Sequence, residues 1–277
     1  MKRCSWLSIP YATVSDPVIK DESALQSLFT LLPNHQMTNR CPIELRMSSQ
    51  MQQTTKFGIN SGYVNHQIVL NSTEKEIFER FHKKAVQDHI LKSLSSGISL
   101  KIGASLKDVE VFYRIYIMMR KELGLFPQPY IFFKNMWTEL SPCNSVDLLL
   151  VEKNGKVIAG MFCLKNSWLY SFEYLARAGQ KDPLHCNHFL YWHGIKRALE
   201  YGCKIVSFAR TSVRNVGIDT FKRRWGTVVK PYYDYVYPNR NYIHRDNNLL
   251  YHMMKKYCKK LPLPVFRFFG EIVYKII

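Results

Sequence analysis

The middle of the chain alternates apolar stretches with short polar turns, and this pattern predicts a β-hairpin. Val146–Glu152 is an almost continuous apolar run, and Val157–Lys165 is a second one. Between them stands Asn154-Gly155, a pair that readily adopts the two positive-φ positions of a tight hairpin turn. A third strand is predicted for Trp168–Leu175.

A helix, a strand, a short helix and a last strand follow in that order. Apolar side chains recur at helical spacing within Asn187–Glu200, and Tyr201-Gly202 ends this helix because glycine tolerates the left-handed conformation. The pattern then predicts a strand over Lys204–Phe208, a helix from about Gly217 to Trp225 stopped by Gly226, and an aromatic strand over Val228–Tyr237.

The first part of the chain contains weaker signals of the same kind. They predict a strand near Trp6–Ile9, a helix over Ser23–Leu32 and a strand over Tyr63–Leu70. Asn71-Ser72-Thr73-Glu74 supplies a capping residue and an early negative charge, so one helix is expected from Glu74 to about Ser93, ending before Gly97.

Length and composition are those of a chain with a real apolar core. The 277 residues, 47% of them hydrophobic, suffice for one large or two small domains. Because neither a stretch of about eighteen apolar residues nor a signal-peptide pattern occurs, we expect a cytoplasmic protein, and a position at the inner face of the membrane is compatible with this. The seven scattered cysteines form no C-x-x-C pair, which favours reduced thiols.

The charge balance changes this picture more than the composition does. A formal net charge of +18 creates a long-range positive potential that attracts polyanions. Transfer RNA, nucleotide-linked precursors and an anionic membrane leaflet all suit such a potential, and so does a surface that is basic only for solubility. The charge alone does not choose among them.

Four stretches are more specific than the order of elements and indicate a family: FYRIYIMMRKELGLFPQP, VEKNGKVIAG, NHFLYWHGIKRALEYG and FARTSVRNVGIDTFKRRWG. In combination, over roughly Tyr63–Tyr237, they resemble the FemAB-like branch of the Gcn5-related acyltransferase (GNAT) superfamily. The resemblance implies an α+β fold, with a mixed, mostly antiparallel sheet flanked by helices. It also implies a truncated second GNAT-like lobe at residues 1–95, an acyltransferase domain at 96–240 and a tail at 241–277. In the family that first lobe usually begins upstream of where Met1 stands.

The function implied by the resemblance is N-acyl transfer. The best-known members add amino acids from aminoacyl-tRNA to peptidoglycan precursors, and others accompany envelope and exopolysaccharide proteins. We therefore expect an acyl donor as co-substrate, no permanently bound cofactor, and an anionic envelope precursor or sugar as acceptor. Two alternatives stay open: a catalytically inert module that binds tRNA or another polyanion, and an acetyl-CoA-dependent N-acetyltransferase. Against acetyl-CoA stands the tight turn Lys165-Asn166-Ser167-Trp168, where a glycine-rich pyrophosphate loop was expected.

Two residues are predicted to be catalytic. By the resemblance, Lys222 of the F-K-x-x-[FW]-G motif lies near the acyl or terminal phosphate group of the donor; the alternative is a surface lysine. Glu173 is the one acidic residue of an aromatic strand, and a carboxylate on an apolar face is costly unless it is paired or protonated. It is a candidate general base, or else the ion-pair partner of Arg177 or Arg210.

Further residues are predicted to border the substrate cleft at the carboxyl ends of the strands. Arg210, at a strand end, precedes a loop that can present N–H groups and hydroxyls to an anion; it could instead tie that loop to a carboxylate such as Asp219. The full set of predicted substrate contacts is Arg210, Thr211, Arg177, Asn187, His188, Tyr113, Arg120 and Trp225. Asn187 and His188 are expected to cap their helix, and Tyr113 is more often a core residue.

Two remaining features concern metal and membrane. His185, Cys186, His188 and His193 lie close in sequence, but their spacing is not that of a zinc motif, so no metal is expected. Lys255, Lys256, Lys259 and Lys260 precede an apolar segment too short to span a bilayer. This tail is expected to pack through Phe266, Phe269, Val273 and Ile276 on the first lobe, which is compatible with peripheral contact with an anionic membrane.

Overall fold

The computed structural model describes residues 6–8, 13, 15–34, 41–51, 56–238 and 257–276. Two compact units are formed. One comprises residues 1–66, 209–223 and 228–244, and the other comprises 67–208, 224–227 and 245–277. The chain therefore passes between the units several times, whereas the predicted three-part division at 1–95, 96–240 and 241–277 is sequential and stays a prediction.

The strands are, in chain order, β1 (Trp6–Leu7), β2 (Ile43–Met47), β3 (Gly58–Val69), β4 (Ser99–Ile102), β5 (Val146–Lys153), β6 (Lys156–Lys165), β7 (Leu169–Arg177), β8 (Ile205–Ser212) and β9 (Val228–Tyr237). The helices are α1 (Glu22–Leu31), α2 (Glu74–Glu79), α3 (Asp88–Leu94), α4 (Leu106–Leu123), α5 (Tyr130–Leu140), α6 (Cys186–Glu200), α7 (Val216–Arg223) and α8 (Leu263–Ile276). A 3-10 turn at Leu32–Asn34 and a π-helical turn at Lys83–Gln87 complete the regular structure of the described residues.

The unit of residues 67–208 is built on the strand order β8-β7-β6-β5-β4. The hairpin β5–β6 is the one predicted, and its turn residues Asn154 and Gly155 have φ values of 51° and 72°. Its core consists of α4 and α5 packed on the inner face of the strands, through Val109, Phe112, Tyr113, Tyr116, Ile117, Phe133, Val146, Leu148, Leu150, Phe162 and Ala176. The other unit has the strand order β1-β2-β9-β3, and α1 packs on it through Leu25 and Phe29. The fold is thus α+β with mostly antiparallel strands, as predicted.

The helix predicted from Glu74 to Ser93 is interrupted. Thr73 is the capping residue and forms a capping box with Glu76, but α2 ends at Glu79 and the chain is extended at His82, with ψ of 120°. There His82 N donates to Arg224 O at 2.8 Å, and the Gln87 side chain bonds the Phe81 carbonyl at 2.8 Å. A tertiary hydrogen bond thus replaces one of the helix's own, and a side-chain amide satisfies the exposed carbonyl.

The last described helix packs differently from the prediction. Phe266 and Phe269 of α8 contact the ring of Phe126, and Tyr274 contacts Phe132. These partners lie in the α4–α5 region rather than in residues 1–95. Of the predicted tail residues, Lys255, Lys256 and the side chain of Ile276 lie outside the described residues.

The structure also bears on the thiols and on membrane spanning. Cys143, Cys163, Cys186, Cys203 and Cys258 are free, as predicted, whereas the prediction is wrong for Cys41, which is disulfide-bonded. Among the described residues, every helix is too short or too polar to traverse a lipid bilayer.

Candidate active site

Strands β7 and β8 part soon after they begin. They pair in parallel only from Leu169–Ile205 to Ser171–Ser207, although β7 continues to Arg177. On its other edge β7 carries a bulge, because Phe172 and Tyr174 oppose the consecutive residues Cys163 and Phe162 of β6. The extra residue is Glu173, whose carboxylate accepts a hydrogen bond from the Ser171 hydroxyl. Bulges of this kind redirect a side chain and are frequent beside active sites.

The loop between β7 and α6 is organised by Arg177. Its guanidinium donates to the carbonyl oxygens of Gly179, Gln180 and Lys181, with distances of 2.6 Å to Gly179 and 2.9 Å to Gln180. The Nε atom lies 3.8 Å from Asp182. Arg177 thereby fixes the loop. Its contact with substrate stays a prediction, and such a contact would have to be made alongside these loop contacts.

Asp182 performs the capping role that the sequence assigned to Asn187 and His188. Its carboxylate accepts the backbone N–H of Cys186 at 2.8 Å and that of Asn187 at 3.1 Å, the first N–H groups of α6. His185 precedes the helix with a left-handed φ of 54°. A carboxylate at this position is favoured by the helix dipole. The sequence offered a signal for it, since Asp-Pro often starts a turn before a helix.

Asn187 and His188 face inward from the first turn of α6. Asn187 Oδ1 is buried and has no hydrogen-bond partner among the described residues. His188 Nε2 lies 3.1 Å from the carbonyl oxygen of Ala85. Burial, followed by the nearby rings of His89 and His185, lowers the pKa of His188 to about 4, so the ring is neutral at pH 7.

Three other predicted contacts have packing roles. Trp225 is fully buried between the rings of Phe81 and Phe208, which leaves it no surface for a substrate. Tyr113 lies in the core of α4 and α5. Arg120 donates to the Phe126 carbonyl at 2.7 Å and closes the turn after α4. Each is an aromatic or cationic side chain whose sequence pattern does not distinguish packing from ligand contact.

In the other unit, Lys222 and Thr211 are brought together. The ammonium of Lys222 is buried and donates to Thr211 Oγ1 at 2.7 Å and to the Ala209 carbonyl at 3.3 Å. Ala209 has a φ of 56°, an unfavourable conformation for a residue with a Cβ. Such strain persists only where the surroundings enforce it, and it is frequent at functional sites. The alternative of a surface lysine is wrong.

Arg210 forms a buried ion pair. Its Nη1 donates to Asp234 Oδ1 at 2.9 Å, Nη2 donates to the other carboxylate oxygen, and the guanidinium lies 3.6 Å from the centre of the Tyr63 ring. The alternative reading of a structural arginine is therefore realised, with Asp234 rather than Asp219 as the partner. A bidentate pair with a buried carboxylate fixes the position of this arginine.

His66 was missed by the sequence reasoning. It is fully buried in β3, and its Nε2 lies 3.2 Å from Asp219 Oδ1. Burial and the nearby charge of Lys222 lower the pKa of His66 to about 4. The hydrogen bond from Arg223 lowers the pKa of Asp219. The only signal in the sequence was a polar run, Asn65-His66-Gln67, between the apolar residues Val64 and Ile68 of the strand.

Residues 83–223 match a family model described as an acetyltransferase (GNAT) domain, which is about half of the chain. None of the curated proteins matches the sequence significantly.

Solved structures with the same fold are found. The crystal structure of FemX superimposes with a TM-score of 0.65 at 13% identity, covering 89% of this chain and 85% of that one. L-PGS from Bacillus licheniformis gives 0.58 at 9% identity, with coverage of 86% and 79%. A tandem GNAT protein from the clavulanic acid biosynthesis pathway gives 0.50 at 8% identity, with coverage of 83% and 74%. At such identities the likeness is one of fold.

Proposed function

Because the chain belongs to the acetyltransferase (GNAT) domain family, we propose that it is an N-acyltransferase whose donor is an aminoacyl-tRNA rather than an acyl-CoA. In the reaction an amine nitrogen attacks the ester carbonyl of the donor, the amide bond forms, and the ester C–O bond breaks. The amine loses a proton to a base, and the departing ribose oxygen gains one. Such a transfer depends mainly on positioning and on stabilisation of the oxyanion.

The observation that carries the choice of donor is the position of Asp182. A coenzyme A diphosphate would be bound by the free N–H groups of a helix N-terminus that follows a strand end. In this chain that helix is α6, which follows β7. The sequence alone placed the pyrophosphate loop after β6 instead. Two of its N–H groups are bonded by the carboxylate of Asp182. A negative charge there repels a diphosphate, so another mode of donor binding is favoured.

Two N–H groups in the hairpin turn after β6 are also occupied. Asn166 Oδ1 accepts the N–H groups of Trp168 at 2.8 Å and Leu169 at 2.7 Å, so neither group is open to a phosphate. The net charge of +18 fits a polyanionic donor such as tRNA. The resemblance to the FemAB-like branch points to the same class of donor.

The acceptor is proposed to be an amino group of an envelope precursor or sugar. Glu173, at the bulge of β7, is the candidate for the base, and Lys222 with Thr211 is the candidate for binding an acyl or phosphate oxygen. The two assignments are independent of each other. Lys222 is suited to its role because its ammonium is already desolvated and held by two hydrogen bonds.

The protein is also proposed to touch an anionic membrane surface through α8. Phe268 of this helix and Tyr257 before it are exposed, and Lys259 and Lys260 precede it. Aromatic side chains beside lysines bind anionic bilayers. Co-sedimentation with phosphatidylglycerol vesicles should exceed that with phosphatidylcholine vesicles, and Phe268→Ser should reduce it. Equal sedimentation with both vesicles would remove this part of the proposal.

The donor is tested by mixing the protein with an amine acceptor pool and either radiolabelled aminoacyl-tRNA or radiolabelled acetyl-CoA. Label is expected in an acid-stable, base-stable amide only with aminoacyl-tRNA. Turnover with acetyl-CoA would overturn the choice of donor. Binding of tRNA without turnover from any donor would favour the inert module, for which the internal engagement of Arg210 is the supporting observation.

A further inference from the structure

Three histidines converge beside the first turn of α6. His188 belongs to that turn, His185 directly precedes it, and His89 belongs to the first turn of α3, which packs beside α6. One nitrogen from each ring can be chosen so that all three lie within 4.8 Å of one another. The ring centres of His89 and His188 are 4.8 Å apart, and those of His89 and His185 are 4.2 Å apart.

The structure assigns to this trio, His89, His185 and His188, a binding site for one divalent transition-metal ion, with zinc as the ion that fits it best. Imidazole nitrogens are preferred zinc ligands, and three of them leave a fourth position for water. Nothing in the proposed acyl transfer requires this ion, so the inference is independent of that proposal.

The hydrogen bond of His188 fixes its tautomer. The Ala85 carbonyl can only accept, so the 3.1 Å contact places the proton of His188 on Nε2. The lone pair is then on Nδ1. Metal-bound histidines usually donate their other N–H to a carbonyl or carboxylate, which fixes the ring and its tautomer. The Ala85 carbonyl occupies that position here.

His89 supplies the second argument. Its Nδ1 is buried and has no hydrogen-bond partner among the described residues. A buried polar nitrogen without a partner costs free energy, which a metal ion bound there would offset. The charges near the trio are mixed, since Asp182 attracts a cation toward His185 whereas Lys92 repels it.

To bind the ion, the site needs a contraction and a turn of the His185 ring, because that ring is stacked on His89 with an angle of 10° between the planes and each nitrogen lone pair lies in the plane of its ring. Ligand nitrogens at 2.0–2.1 Å from a tetrahedral zinc are about 3.3 Å apart, compared with separations of up to 4.8 Å in the trio. Rotation of the half-buried side chain of His185 about χ1 and χ2 would supply the difference, since it leads into the helix from a loop and leaves the helix geometry unchanged. Bound metal would therefore join α3 to the start of α6.

The test is metal binding by the full chain after chelator treatment and removal of any affinity tag. Titration with Zn²⁺ by calorimetry is expected to show one site per chain and to raise the thermal midpoint. Titration with Co²⁺ is expected to give the visible spectrum of a four-coordinate ion. In His89→Gln and in His185→Gln, each half-buried and replaceable without a cavity, affinity should fall about 10-fold or more.

His193→Gln is the matched control, because His193 is another half-buried histidine of α6, in contact with the ring of Phe189 and apart from the trio. It should bind as the wild type does. Absence of Zn²⁺ and Co²⁺ binding by folded wild-type protein would overturn the inference. Equal weakening in His193→Gln and His89→Gln would also overturn it, because the bound metal would then lie elsewhere.

Discussion

Lys222 has an observed structural role and a proposed chemical role, and one substitution can distinguish them. Lys222→Met keeps most of the buried volume but removes the bonds to Thr211 Oγ1 and the Ala209 carbonyl, which should cost about 1–3 kcal/mol of stability. If the ammonium also stabilises the transition state, turnover should fall about 100-fold or more. Lys230→Met, at an exposed lysine of β9, is the control and should change neither quantity. A loss of about 1–3 kcal/mol in the free energy of unfolding, with unchanged turnover, would show that Lys222 is purely structural.

For Arg210, in contrast to Lys222, the structural role is expected to be the larger one. Arg210→Ala leaves the carboxylate of Asp234, 1% exposed, without its bidentate partner, and breaking such a buried pair costs about 3–5 kcal/mol. The double variant Arg210→Met/Asp234→Leu removes both charges and should recover most of that stability in chemical unfolding. If the double variant also recovers turnover, Arg210 holds the fold. Recovered stability without turnover would instead support the predicted substrate contact.

His66 reports on the charge of Lys222. Its pKa of about 4 in the folded protein lies below the ordinary 6.5, so the unfolded chain takes up a proton that the folded chain refuses. Its contribution to stability is present above pH 6.5 and is lost as the pH falls toward 4. Lys222→Met should raise the pKa of His66, read from its ring proton by NMR. The ring of His193, whose pKa is lowered by burial and Lys196, should not respond; a shift at both rings would mean a general change of fold.

At this scale the sequence predicted the residue types better than their partners. Lys222 and Thr211 were both named, and their hydrogen bond joins them. For Arg210 the sequence left open a substrate contact or a carboxylate such as Asp219. The carboxylate is that of Asp234 on β9, which is separated from β8 by β3 in the sheet, and the order of strands in the sheet is not visible in the sequence. His89 was not considered because it is far in sequence from His185 and His188, and only the packing of two helices brings the rings together.

Among the elements, the break between α2 and the π-helical turn depends on one glycine. A Cβ on Gly226 would lie 2.9 Å from the backbone oxygen of Arg80, and its φ is 65°. Gly155 has a similar φ of 72° but nothing within 4 Å of a Cβ. Gly155→Ala should therefore cost about 1 kcal/mol from the left-handed backbone alone. Gly226→Ala should cost a further 1–3 kcal/mol or so, since the backbone must shift. If Gly155→Ala and Gly226→Ala lower the free energy of unfolding equally, the backbone at Arg80 can move away from the added Cβ without cost.

The elements that could be predicted are those whose pattern is local. The strands β5, β6 and β9 and the helix α6 were predicted with bounds within one residue of those observed, because alternation, turn pairs and caps act over a few residues. The helix over Glu74–Ser93 was wrong because Arg224 and Gly226 are distant in sequence. Likewise, Asp182 can be recognised as the residue that occupies the N–H groups at the start of α6 only when β7 is known to lead into that helix.

For the whole molecule, the proposed choice of donor depends on two features, the net charge of +18 and the carboxylate of Asp182. Positive charge spread over the surface attracts any polyanion, and such binding weakens with salt as counterions are released. Coenzyme A needs more than attraction, because its diphosphate requires free backbone N–H groups. Charge and local geometry therefore act in the same direction for tRNA and in opposite directions for coenzyme A.

The expected result is tRNA binding that weakens about 10-fold or more between 50 and 200 mM salt, with no measurable coenzyme A binding by calorimetry at either salt concentration. Asp182→Ser keeps a capping oxygen but removes the charge, so it should leave tRNA binding unchanged and permit weak binding of coenzyme A. Lys181→Ser, at the exposed neighbouring residue, is the control and should not gain coenzyme A binding. Tight coenzyme A binding by the wild type, or tRNA binding indifferent to salt, would contradict this account, since either result requires a donor site other than the one that Asp182 blocks.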